Sequence, residues 1–130
     1  MRFSVKIIAI ILFLLAVIIS SGIFMTNALS KSSKELGKKI TEIEKYIQSE
    51  DWNKAMETLN SLKKDWEKTK STWSMLIDHI EVDNIETSLT RVSKYVELRH
   101  AAYAMTEISV LKQYIDHIPE KESFTLENIF

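Results

Sequence analysis

Residues 52–80 read WNKAMETLNSLKKDWEKTKSTWSMLIDHI, and in them Trp52, Leu59, Trp66, Trp73 and Ile80 recur every seven positions. Ala55, Leu62, Thr69 and Leu76 fill the complementary positions. An apolar stripe of this period predicts a helix that buries one face against other helices. Trp at three stripe positions is too bulky for a narrow two-stranded seam and suits a groove between two neighbours. Trp52, Trp66 and Trp73 are therefore read as packing residues of a structural or partner-binding helix.

The flanking sequence continues in the same style. Upstream, Leu36, Ile40, Ile43 and Ile47 make one helical face, and Ser32 with Glu35 resembles a capping box that opens it. Ser49, Glu50 and Asp51 read as a break, with Asp51 as N-cap of the next helix. That helix is expected to end near residues 78–82. Asp83 with Glu86 then offers a second capping box ahead of Ile85, Leu89, Val92 and Val96. A turn near residues 98–100 leads to a last stripe of Ala104, Ile108, Leu111, Ile115 and Ile118, and Pro119 is expected to stop it.

These pieces repeat at an offset of 49 residues. Leu36, Ile40 and Ile43 fall on Ile85, Leu89 and Val92, and Tyr46-Ile47 falls on Tyr95-Val96. Ala55-Met56 falls on Ala104-Met105, and Leu59, Leu62 and Lys63 fall on Ile108, Leu111 and Lys112. The repeated unit is a helix hairpin. Two such units are too few for a solenoid, so the expected fold is all-α, an antiparallel bundle of about four helices. With only two Gly and one Pro in 130 residues, a turn-rich β fold is excluded.

The N-terminus has a different character. From Ile7 to Met25 there are 19 residues without a charge, enough to cross a hydrocarbon core of about 30 Å as a helix. An uncleaved membrane anchor is favoured. The alternative is a signal peptide cut after Gly22 or Ala28, which would leave a secreted domain. The chain then divides into residues 1–29 as N-terminal tail and anchor, 30–118 as helical bundle, and 119–130 as an apolar tail. Arg2 and Lys6 lie close against the apolar run, whereas the first charge beyond it is Lys31. That asymmetry puts the N-terminus in the cytoplasm and the bundle outside. The absence of Cys agrees with an outside location and excludes thiol chemistry and disulfides.

Charge is uneven along the chain. Residues 31–70 carry +2 and residues 71–130 carry −5, within a net charge of −1. No nucleic-acid partner is implied. No phosphate-cradling loop, zincin motif or nucleophile elbow occurs, so no catalytic residue, cofactor or enzyme activity is expected. The one polar concentration is Asp78, His79, Glu81, Asp83 and Asn84, echoed by Asp116-His117-Ile118 and Glu120. An up-down bundle would bring His79 and His117 to one pole with Glu81 and Asp83 nearby, a donor set adequate for Zn²⁺. Helix ends collect such residues for capping alone, and a metal is not favoured. Arg91 is expected in an ion pair, with Glu81 or Asp83, or with Asp65 or Glu67 on the Trp-bearing helix. In the tail, Leu126, Ile129 and Phe130 have helical spacing and are expected to fold back on the pole near His79.

With these residues in view, the chain resembles the domain of unknown function 4363 family. The resemblance rests on Asp51-Trp52-Asn53-Lys54-Ala55, the pair Trp66 and Trp73, the run from Asp78 to Ile85, Arg91, and the terminal Leu126-Glu127-Asn128-Ile129-Phe130. It implies a small bacterial protein with one N-terminal apolar segment and a helical remainder. That family carries no established activity, so the resemblance transfers no catalytic role. The expected function is a membrane-anchored helical module that binds a protein partner. The competing expectation is a metal- or small-ligand-binding protein using the His79/His117 pole.

Overall fold

The computed structural model describes residues 2–129, with side chains described through Lys121. It contains four helices: α1 (Arg2–Gln48), α2 (Trp52–Leu76), α3 (His79–Glu97) and α4 (Ala101–Ile129). Successive helices run antiparallel and close into a ring, α1 against α2 and α4, and α3 against α2 and α4. The described core extends from Leu29 to Ile118 and takes its side chains from all four helices.

Two expected helix starts are corrected. The apolar segment and the first bundle helix are one helix of 47 residues, about 70 Å long. Ser32 and Glu35 therefore lie inside α1 and cap nothing. No strong breaker interrupts that stretch, and the Thr26 hydroxyl folds back onto the Gly22 carbonyl at 3.0 Å without ending the helix. The second correction is at the start of α3. The chain turns at Ile77, whose backbone is extended, and Asp78 rather than Asp83 is the N-cap. The Asp78 carboxylate accepts from the Ile80 N–H at 3.1 Å. Asp83 and Glu86 fall within α3, and Ile80 belongs to α3 rather than to the heptad stripe of α2.

The 49-residue repeat is a structural repeat. Glu50 and Arg99 both take positive φ, 55° and 56°. Around each, the same bonds close the helix end: Glu50 N–H to Ile47 O and Asp51 N–H to Tyr46 O, then Arg99 N–H to Val96 O and His100 N–H to Tyr95 O. These are Schellman closures with a non-glycine residue in the left-handed position. The matched core positions Ala55/Ala104, Leu59/Ile108 and Leu62/Leu111 are all buried.

Pro119 does not stop α4, which continues to Ile129. The reason lies on α1. Proline has no N–H, so the carbonyl four residues earlier, on Ile115, loses its helical donor. The buried Ser33 hydroxyl donates to that carbonyl at 2.9 Å. With the freed acceptor satisfied, the helix carries on past Pro119. The expected packing of Ile129 lies beyond the described side chains, and Phe130 lies outside the described residues.

This account is testable by a double-mutant cycle, read by urea unfolding of the full chain in detergent micelles. Ser33→Ala should cost about 1–3 kcal/mol, because it strands a buried carbonyl. In a Pro119→Ala background residue 119 supplies its own N–H, and the cost of Ser33→Ala should fall below about 1 kcal/mol. Equal costs in the two backgrounds would refute the pairing.

Candidate functional site

The polar candidates sit at the pole where α1 enters the bundle. His79 is the first residue of α3 and is exposed. Glu81 is engaged across helices by Lys121 of α4 at 2.8 Å. His117 lies 4.0 Å from Glu120 on its own helix, and both are exposed. Asp83 is exposed and acts through space on Lys70, which Glu86 binds directly and holds above the ordinary lysine range. Among the described residues, no group of three or more His, Asp or Glu is arranged to hold a metal ion. Capping accounts for the contact of Asp78, and an interhelical ion pair for that of Glu81.

Arg91 has a different partner from those expected. It faces α4, with its guanidinium 3.9 Å from Glu107. Glu81 lies ten residues earlier on α3, about 15 Å along the helix, and is taken by Lys121. Asp65 is taken by Lys39 of α1. At 3.9 Å the Arg91 contact is too long for a hydrogen bond, and Arg91 is mostly exposed, so the pair adds little.

Trp66 and Trp73 are buried and meet edge to face, with ring centroids 5.6 Å apart. Trp52 is half-buried and packs on the core rim. Neither the Trp66 nor the Trp73 indole N–H finds an acceptor among the described residues. Trp66 also lines a groove of about 400 Å³ along the α2–α3 seam. Lys63 and Ser93 bridge that seam at 2.6 Å.

The opposite pole carries a cluster that linear reading missed. Tyr95, on the last turn of α3, stacks on Tyr103, on the first turn of α4, with centroids 5.4 Å apart. His100 leans on Tyr103 at 4.9 Å. Leu98 beside them is 67% exposed. Lys54 lies 5.9 Å over the ring of Tyr46, the repeat counterpart of Tyr95. An exposed aromatic surface of this kind can stack on another ring, a guanidinium or an apolar side chain. The Tyr46/Tyr95 match hinted at it. The pairing of Tyr95 with Tyr103 depends on the chain reversal between them.

Residues 23–129 match the family described as Domain of unknown function (DUF4363). The chain belongs to this family. The match spans the whole four-helix bundle and the last three residues of the apolar run. Comparison with curated proteins and with solved structures finds no match. In this DUF4363 chain the Trp66–Trp73 pair is buried in the core, and the far pole offers the exposed aromatic surface.

That division has a direct test. Trp73→Ala should cost about 3–5 kcal/mol through lost burial and cavity formation. Trp66→Phe should cost distinctly less than Trp66→Ala, since it keeps most of the ring and removes an unpartnered N–H. Urea midpoints of the full chain check both. A Trp73→Ala variant with an unshifted midpoint would contradict a packing role.

Proposed function

We propose that this chain is a single-pass membrane protein whose bundle, outside the cytoplasm, is a rigid module for binding a protein partner, with no catalysis of its own. The observation that carries the proposal is the continuity of α1. One helix is long and apolar enough to cross a membrane, and the same helix supplies Leu29, Ser33, Leu36, Ile40, Ile43 and Ile47 to the bundle interior. Leu29 is buried just four residues after Met25. Cleavage after Gly22 or Ala28 would cut inside a regular helix, which favours an anchor over a signal peptide.

A continuous helix fixes both height and direction. From Met25 to Gln48 the rise is about 35 Å, so the Tyr95–Tyr103 surface stands that far from the end of the apolar run. A flexible linker would let that surface wander, and the continuous helix holds it. Arg2 and Lys6 set the orientation, with the N-terminus inside.

The absence of Cys makes the test clean. Leu98→Cys should react with a membrane-impermeant maleimide in intact cells. Reaction after lysis alone would overturn the orientation. The full-length chain should stay with membranes through an alkaline carbonate wash, and its release would indicate a cleaved or peripheral protein. A photo-reactive residue at position 103 should give a discrete cross-linked protein species, where one at exposed Thr90 on the flank gives none. Equal yields from the two positions would argue against a partner at the far pole.

A further inference from the structure

Large apolar side chains also stand exposed at the pole where α1 enters. Met75, near the end of α2, is 80% exposed, and Ile80, in the first turn of α3, is 66% exposed. Neither belongs to the core, and both flank the same α2–α3 turn.

Their depth follows from cross-helix pairs. Lys39 of α1 binds Asp65 of α2. Met75 lies ten residues further along α2, which places it level with Leu29 of the antiparallel α1. Ser33 of α1 binds the Ile115 carbonyl of α4. Lys121, six residues further along α4, is level with Asn27. Lys121 holds Glu81, the neighbour of Ile80, at 2.8 Å. Ile80 therefore stands at the level of Asn27 as well. Met75 and Ile80 are two to four residues above Met25, the last residue of the uncharged run. At 1.5 Å per residue that is about 3–6 Å. The headgroup layer on each side of a bilayer is about 5–8 Å deep.

We infer that the α2–α3 turn of the bundle is seated in the headgroup layer of the membrane that α1 crosses, with Met75 and Ile80 as its apolar contacts and lipid as their partner. The inference rests on the membrane reading of α1. Ile23 and Phe24 on α1, a few residues below that level, are exposed apolar side chains as well. Two acids of the turn are engaged: the Asp78 carboxylate accepts from the Ile80 N–H, and Glu81 is paired with Lys121. Lys31 and Lys34 on α1 stand just above, where lysine side chains reach phosphate groups. Seating the turn would brace the bundle against tilting about α1.

The experiment uses single-cysteine variants of the full chain, Phe24→Cys, Met75→Cys, Ile80→Cys and Leu98→Cys. Each carries an environment-sensitive nitrobenzoxadiazole label in phosphatidylcholine nanodiscs. Labels at 75 and 80 should emit to the blue of the label at 98 and lose emission to a lipid spin-labelled near its headgroup. The label at 98 should behave as in water. Quenching at 24 with none at 75 and 80 leaves the span intact and overturns the seating. Absence of quenching at 24 overturns the span itself, and the seating with it. Blue emission at 75 and 80 without lipid quenching means that another copy of the chain covers the turn, which also overturns the inference. Equal quenching at 98 means that the bundle lies on its side, with the same consequence.

Discussion

The Ser33 hydroxyl on the Ile115 carbonyl is the bond on which the lower half of the molecule depends. It answers a defect created on another helix, 82 residues away, by a proline that cannot donate. Because it is made, α4 runs on as a helix and delivers Lys121 to Glu81 at the start of α3. One buried hydroxyl thus ties together α1, α4 and, through Lys121, the first turn of α3.

The two hairpins are built alike and used differently. Their closures match bond for bond at Glu50 and Arg99, and their core positions superpose in sequence. In the first hairpin the leading helix extends into the apolar run, and in the second it begins at a capped turn. The seams between the hairpins differ accordingly. α1 and α4 are joined by a buried hydroxyl–carbonyl bond. α2 and α3 are bridged by the polar pairs Lys63–Ser93 and Lys70–Glu86 beside an open groove. The repeated hairpins thus build an upper and a lower end with distinct surfaces.

Those ends suggest how the module works. Stiffness comes from one helix shared between the apolar run and the bundle core, so the bundle cannot swivel without bending a regular helix. The far pole presents Tyr95, Tyr103 and Leu98, and the near pole presents Met75 and Ile80. On the proposed reading, the near pole meets lipid and the far pole meets a partner at fixed height. At the near pole Asp78 caps α3, and Glu81 pairs with Lys121.

Periodicity alone determined the helices, the hairpin repeat, the core and the one long apolar run. Each of these is a local pattern of side-chain chemistry, and burial of an apolar stripe leaves little choice of structure. Asp51 as a cap was legible for the same reason, since its carboxylate accepts from a backbone N–H three residues on. Most of what the sequence did not determine was decided by groups distant along the chain. Pro119 looked like a stop because its missing donor is visible in sequence, whereas the hydroxyl that compensates for it is on another helix. Asp83 looked like a cap because the extended turn at Ile77 is a backbone state with no residue signature. Arg91 found Glu107 rather than Glu81 because the bundle chose which face of α3 meets α4. The stacked Tyr95 and Tyr103, and the shared level of Met75, Ile80 and the end of the apolar run, exist only after antiparallel packing has set the register. Local physics chooses the elements, and interhelical bonds choose what those elements bring together.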